Sequence, residues 1–575
     1  MQTAPQAALT PGIRFTETMR GYFAKGETGD YQAAAEEGRQ TGSKFEFTLT
    51  IASQDLDDML RNSDHRAGMS GSVTAPVLSD RPLTVNDGEF QLFVNDPANV
   101  ETRNMVYRMK MRTADNREYF MTGFKIVHPN PVWDIWRDTS TLYITVYDGP
   151  NEAAPTMGRG VLHILPADFA KQMTTLEVTN ASGAEDRLRQ TARFGQFFAG
   201  VLFETYGGIF ARPTEFDPAA PAREKRQLRV DAPGVYTFPA KDGVPLRLTR
   251  YRGGTKGPVI LSHGLGVSSL IFSIDTIETN LLEYLFASGY DVWLLDYRDS
   301  IALPASAEQS SGDDVATKDY PAAVDKVREI TGARDVQMVV HCWGSTTFFM
   351  AMLAGLEGVR SAVCSQIATH IVAPTLNKIR TGLHLPEFLN RLGIRSLTAD
   401  VDTRADWWNK LYDKALDLYP IPLDNLCNSP VCHRITFMYA PLYEHAQLNE
   451  ATHEALHEMF GVANIRAFEQ IALMTRKGHI VAADGSEAYL PHLKRLAIPI
   501  AFIHGGLNAC FLPESTEITY NLLRESNGDG LYTRHVIPDY GHIDCIYGKN
   551  AVRDVYPFIL SHLEETATQT AAAGG

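Results

Sequence analysis

The chain has 575 residues, 44% hydrophobic and 21% charged, which excludes a single small module, a fibre and a disordered chain. Lys and Arg total 53 against 68 Asp and Glu, and the resulting net charge of −15 repels a phosphate backbone, which excludes nucleic acid as a partner. Six cysteines, all between Cys342 and Cys545, are too few for a disulfide framework, the opening MQTAPQAALTPG lacks the basic start of a signal peptide, and no run is apolar long enough to span a bilayer, so a soluble cytoplasmic protein is expected.

A tail over 1–12 is followed by a β-rich accessory domain over 13–210. From Lys44 to Leu165 apolar and polar residues alternate: Phe45, Phe47, Leu49 and Ile51, then Met105, Tyr107, Met109 and Met111. Further runs at Glu118–Val127, Leu142–Tyr147 and Gly160–Leu165, separated by turn residues, predict an antiparallel sandwich or barrel. Asp186–Gly207 turns to helical spacing and predicts a terminal helix packed between the domains. Residues 211–227, rich in Pro and charge, read as a linker. Over 228–568 short, fully apolar runs (Pro258–Ser262, Asp291–Leu295, Val336–Val340, Ala362–Ser365, Pro499–Ile503) alternate with helical text. That pattern predicts an α/β domain with a parallel sheet covered on both faces. The helical, aromatic-rich stretch 366–489 interrupts the alternation as an inserted cap, and 569–575 is a tail.

The chemistry concentrates where Val336–Val340 runs into His341-Cys342-Trp343-Gly344-Ser345 and then a helical run. A strand-to-helix turn that lifts a nucleophile above a sheet has the pattern G-x-S-x-G; here Cys342 stands at the apex and Val340 at the first position. A thiol at a helix N-terminus is an adequate nucleophile. Upstream, the strand ending in His263-Gly264-Leu265-Gly266 offers the Leu265 N–H to pair with that of Trp343 as an oxyanion hole. Downstream, Asp539-Tyr540-Gly541-His542 precedes the last helix and supplies His542 as general base. The residue that orients the base should follow Pro499–Ile503, where Asn508 occupies the expected Asp position. A thiolate–imidazolium pair supports its own charge, so an Asn carbonyl accepting the His542 ring N–H would suffice, as in Cys-His-Asn hydrolases. Asp484, Asp539 and Asp544 are the alternative orienters.

The stretches HGLGVSSLIFSIDTIETNLLEYLFASGYDVWLLDYRDS, DYPAAVDKVREITGARDVQMVVHCWGSTT and DYGHIDCIYGKNAVRDVYPFILSHL resemble, in order and spacing, the α/β-hydrolase core of the acid lipases. The resemblance implies an α/β-hydrolase fold with a helical cap, preceded by the antiparallel β-rich domain. It also implies an esterase, thioesterase or lipase acting on a hydrophobic acyl substrate, with Cys342, His542 and Asn508 as triad and Leu265 and Trp343 at the oxyanion positions. The segment before the core, with the cap text CHRITFMYAPLYEHAQLNEATHEALHEMFG, resembles the hydrolase portion attached to some bacterial cholesterol-oxidase-like (GMC) flavoproteins, implying a functional link to a GMC-type flavin oxidoreductase. No dinucleotide-binding glycine fingerprint occurs, so no flavin or other cofactor is expected in this chain. A Cys apex also resembles polyhydroxyalkanoate synthases and dienelactone hydrolases, which keeps acyl transfer and lactone opening as alternatives.

Two other readings compete. His453-Glu454-Ala455-Leu456-His457 fits the H-E-x-x-H of zinc peptidases, with Glu469 or Glu487 as third ligand, but the metzincin continuation fails at Gly461 and a solvated helix is the simpler expectation. Cys427 and Cys432 with His433 lack paired C-x-x-C spacing, so no metal site is expected there. A non-catalytic lipid-binding protein is the remaining alternative; Trp407, Trp408, Tyr412, Tyr419, Phe437 and Tyr439 of the cap would wall its pocket, although simple core is the plainer expectation for them.

Overall fold

The computed structural model describes residues 10–26, 29–127, 139–206, 221–374, 396–399, 427 and 429–572. The chain forms two compact units, the first made mainly of residues 1–212 and the second mainly of 213–575.

The first unit is an antiparallel barrel. Its strands are β1 (Gly12–Lys25), β2 (Lys44–Ser53), β3 (Arg66–Thr74), β4 (Leu83–Asn95), β5 (Arg103–Arg112), β6 (Glu118–Val127), β7 (Thr141–Tyr147) and β8 (Thr156–His163). Each pairs with the next, and β1 pairs with both β2 and β8, so eight strands close on themselves and leave no long open edge. A short β9 (Glu177–Thr179) adds to the start of β1. The sequence pattern misses β1 because its inward series Ile13, Phe15, Glu17, Met19, Gly21, Phe23 is interrupted by a carboxylate and a glycine. Both have physical reasons. A Cβ on Gly21 would stand 2.0 Å from the Val161 carbonyl oxygen of β8, so only glycine lets the strands approach this closely. Glu17 lies buried and forms a 2.5 Å ion pair with Lys125, whose side chain is as buried, while the Tyr107 hydroxyl donates to the same carboxylate at 2.8 Å. The helix Ala184–Tyr206 buries Phe194 and Val201 in the barrel's own hydrophobic core, where Phe194 meets Phe15.

The second unit is a mixed eight-stranded sheet. Its strands are β10 (Gly234–Pro239), β11 (Pro245–Arg252), β12 (Pro258–Ser262), β13 (Asp291–Asp296), β14 (Val336–His341), β15 (Val359–Ser365), β18 (Ile500–Gly505) and β19 (Tyr532–Ile537), with the small pair β16 (Ser396–Thr398) and β17 (Val462–Asn464) in the segment between β15 and β18. The order is β10-β11-β13-β12-β14-β15-β18-β19; the first two strands run antiparallel and the rest are parallel. Strands β12, β13, β14 and β18 are buried at every position, as two covered faces require. The segment between β15 and β18 is largely helical where described, including Pro430–Tyr439 and Ile465–Lys477. Residues of the expected linker are not a loose tether. Arg223 is paired with Asp275 and Glu458 and Arg226 with Glu283, and these arginine contacts help hold both Asp275 and Glu283 down at about 2.

Replacing Lys125 with Met would leave the Glu17 carboxylate buried without its counter-charge, at a cost of about 3–5 kcal/mol. Denaturant unfolding of the full chain is expected to show the first unit melting earlier by that amount, and the double variant Glu17→Leu with Lys125→Met is expected to recover most of the loss.

Candidate active site

Strand β12 hydrogen-bonds to β13 on one side and β14 on the other, all parallel, so the chain leaves the carboxyl ends of β12 and β14 in opposite directions. Such a switch point opens a crevice at the sheet's edge. Cys342 lies at this edge, directly after β14, as the N-cap of the helix Trp343–Ala354. Its backbone has φ 55° and ψ −126°, a conformation that a side-chain-bearing residue rarely adopts. Two glycines make room for it. A Cβ on Gly344 would stand 2.1 Å from the His263 carbonyl oxygen, and one on Gly264 would stand 2.9 Å from Cys342 Cβ. The backbone N–H groups of Trp343 and Leu265 both face the Cys342 sulfur, which brings the two expected oxyanion donors to one point.

The loop after β19 brings His542 to the same crevice, and the loop after β18 brings Asn508. Asn508 Nδ2 lies 3.0 Å from His542 Nδ1, whereas the alternative orienters have other tasks. Asp544 accepts from the Gly541 and Glu444 backbone N–H groups and pins the His542 loop; Asp484 accepts from Ser486, and Asp539 is exposed. The polarity of the Asn508 contact differs from the expectation. Asn508 Oδ1 accepts two backbone N–H groups, from Cys510 at 2.9 Å and Phe511 at 3.0 Å. Gln366 Oε1, itself held by the Gly505 N–H, accepts from Asn508 Nδ2 at 3.0 Å. Backbone donors cannot be flipped, so the amide presents its NH2, not its carbonyl, to His542. Nδ1 of His542 is therefore an acceptor, and the proton of the neutral ring sits on Nε2.

The surroundings of the expected thiolate–imidazolium pair disfavour its charges. Cys342 opens on a cavity, yet burial around its sulfur pushes the thiol up to about 12, against the smaller pull of the Trp343 and Leu265 amides. Burial, with His341 and His504 nearby, holds His542 well below the ordinary histidine value. Both shifts favour the neutral thiol and the neutral imidazole.

The core of the second unit, residues 257–391, matches the family model described as the alpha/beta hydrolase fold. The second unit has the α/β-hydrolase fold. Among curated relatives, Lipase lipl-3 of Caenorhabditis elegans is 24% identical over 363 residues, covering 56% of this chain and 86% of its own. Human Lipase member K is 25% identical over 364 residues, covering 58% and 84%, and human Gastric triacylglycerol lipase is 24% identical over 372 residues, covering 57% and 87%. The chain is thus distantly homologous to the acid lipases over its hydrolase unit.

Cys342 and His542 open on one cavity of the hydrolase unit, walled mainly by apolar side chains that include Ile367, Phe437, Phe460 and Phe511. The helix Ile465–Lys477 presents Ile465, Phe468, Ile471 and Ala472 to it at helical spacing. Of the aromatics expected to wall a pocket, Phe437 and Tyr439 do so; Trp407, Trp408, Tyr412 and Tyr419 lie outside the described residues. Tyr439 is more than wall, because its hydroxyl is buried without a hydrogen-bond partner and stands over Gly266, beside Leu265. No sequence signal separates that hydroxyl from a packing ring. The H-E-x-x-H helix does not hold together as a metal frame. It breaks at Ala455, His457 Nδ1 contacts the Glu454 carbonyl, and His453 turns inward toward His445. Among the described residues no helix is long and apolar enough to cross a membrane.

Because the Cys342 thiol ionises near 12, its thiolate fraction rises about tenfold per pH unit throughout the neutral and mildly alkaline range. Iodoacetamide alkylation of Cys342, followed by peptide mass spectrometry, is expected to climb in that way from about pH 7 to 10. A rate plateau near neutrality would instead report an ion pair.

Proposed function

We propose that the hydrolase unit is an acyl hydrolase for an apolar ester, thioester or lactone, with Cys342 as nucleophile, His542 as base and Asn508 as the residue that orients it. The observation that carries this reading is the strained Cys342 at the head of a helix, its sulfur facing the Leu265 and Trp343 amides and opening with His542 on one apolar cavity. Strain of about 1–3 kcal/mol at one side chain is maintained where it aims a reacting atom. Distant homology to lipases supports the same class. His542 Nε2 would take the Cys342 proton as sulfur bonds to the carbonyl carbon, and the two amides would hold the resulting oxyanion. Collapse would expel the alcohol, protonated by His542, and leave an acyl thioester. Water activated by His542 would then release the acid and return the thiol.

This route requires a bare Nε2, hence a proton on Nδ1 and an acceptor opposite it. Asn508 supplies one only by turning its amide and leaving two backbone N–H groups without acceptors, at about 1–3 kcal/mol each. That cost slows the wild-type enzyme. Asn508→Asp keeps both backbone bonds and offers a carboxylate to Nδ1, while Gln366 turns its amide to donate and gives up the Gly505 N–H. The expected net effect is a rise of about 10- to 100-fold in kcat/KM on a p-nitrophenyl ester. Cys342→Ala should lose turnover altogether, and an acyl group trapped on Cys342 should appear as a mass adduct. Wild-type turnover that survives Cys342→Ala would refute the assignment.

The same Asn508 polarity favours a second reading, a lipid-binding protein with a silenced site. No turnover in the wild type with turnover gained in Asn508→Asp would select it.

A further inference from the structure

One polar group of the cavity has no task in the proposed acyl chemistry. The Tyr439 side chain lines the cavity together with Cys342 and His542, and its hydroxyl is buried with no hydrogen-bond partner among the described residues. A buried tyrosine hydroxyl is ordinarily paired, because an unpaired one forfeits the bonds it makes to water. The hydroxyl stands against the turn that carries one of the two oxyanion amides. A Cβ on Gly266, whose φ is 68°, would lie 1.9 Å from the Tyr439 oxygen, so glycine is what admits a hydroxyl beside Leu265. The turn does not absorb it either, since the Gly266 carbonyl already accepts the Gly461 N–H at 3.1 Å.

Packing alone does not explain the hydroxyl. The ring centroids of Phe468 and Phe460 lie 5.5 and 6.5 Å from that of Tyr439, and a phenylalanine would fill the same space with no polar atom to bury. The backbone is shaped to hold this ring. Tyr439 ends the helix Pro430–Tyr439, and Ala440 after it has φ 108° and ψ 178°, a conformation that a residue with a side chain rarely adopts. The Tyr439 carbonyl accepts from Cys510 Sγ at 3.5 Å, which ties the helix end to the loop that carries Asn508. Burial pushes the hydroxyl well above the ordinary tyrosine value, and the Cys342 sulfur adds to that push, so the group keeps its proton and can act only as a donor to an anion.

We propose that the Tyr439 hydroxyl is a third oxyanion donor, reaching the substrate's carbonyl oxygen beside the Leu265 and Trp343 amides. This inference rests on the acyl reading of Cys342 and adds a further group that touches the substrate. As sulfur bonds to the carbonyl carbon, the thiol proton passes to His542 Nε2 and the carbonyl π pair moves onto oxygen. Tyr439 keeps its own proton and donates a hydrogen bond to that oxygen. A carbonyl oxygen has two lone pairs and an oxyanion three, so the third donor acts on the transition state more than on the bound substrate. Asn508 gives a cation on His542 little support, and the stabilisation of the charge pair then falls to the oxyanion side.

The test is Tyr439→Phe in the full chain, which keeps the ring and removes the donor. On a p-nitrophenyl ester kcat is expected to fall about 10- to 100-fold with KM changed by less than about twofold. The thiono analogue of the same ester, whose C=S accepts hydrogen bonds weakly, should lose less than about threefold. A trifluoromethyl ketone adds to Cys342 as a hemithioketal whose oxygen takes the oxyanion position, and its affinity should fall by the same factor as kcat. Iodoacetamide forms no oxyanion and should alkylate Cys342 at the wild-type rate, which also reports that the site is intact. Equal kcat in the two proteins, or equal losses for ester and thionoester, would overturn the proposal and leave the acyl reading standing. A wild type with neither turnover nor a hemithioketal on Cys342 would overturn both.

Discussion

The hydrolase unit depends on one close approach, that of the chain leaving β14 to the chain leaving β12. Gly344 lies against the His263 carbonyl, Gly264 against Cys342, and the backbone of Cys342 is forced to positive φ between them. Buried hydroxyls lock this approach. Tyr320 donates to the Gly344 carbonyl at 2.6 Å and shares a 2.8 Å bond with Ser262, while Tyr297 donates to the His263 carbonyl at 3.0 Å. The Trp343 indole bonds to the buried Asp299 at 3.0 Å and stops the first turn of the helix from relaxing the strain. The same turn that lifts the sulfur also aims the Trp343 amide at it.

The second constraint is dielectric. The crevice is walled by aliphatic and aromatic side chains, and its titratable groups respond alike: the thiol is pushed up, and His341, His504 and His542 are all pushed down. A site this dry selects neutral partners. Asn508 fits such a site better at rest than a carboxylate would, since its amide satisfies two backbone donors and one amide acceptor without burying charge. What it gives up is support for a cation on His542, the charge that the proposed acyl chemistry would build there.

The legible part of the molecule is the part written in local pattern. Short apolar runs identify five of the six strands that pair in parallel and miss β19, a half-exposed edge strand, and the order of Cys342, Asn508 and His542 places all three at one edge of the sheet. The illegible part arises where a residue's meaning depends on a partner remote in sequence. β1 is lost to pattern because Glu17 is an interior residue only by virtue of Lys125, and Gly21 only by virtue of the β8 backbone. The direction of the Asn508 amide is set by Cys510, Phe511 and Gln366, none of which belongs to a catalytic pattern.

The loop that carries His542 is held by one short run of chain. The Leu442 carbonyl accepts the backbone N–H groups of both His542 and Ile543, and the Glu444 N–H reaches Asp544, the acid that also holds Gly541. Tyr443 between them bonds to Cys432, and His445 follows directly. This short run thus fixes the backbone of the candidate base on one side and bonds to the helix that carries Cys432 on the other. A Cβ on Gly541 would stand 3.1 Å from the Tyr443 α-carbon, so the two loops have little slack to absorb a displacement. A shift of Tyr443 would therefore be passed to the backbone from which His542 hangs.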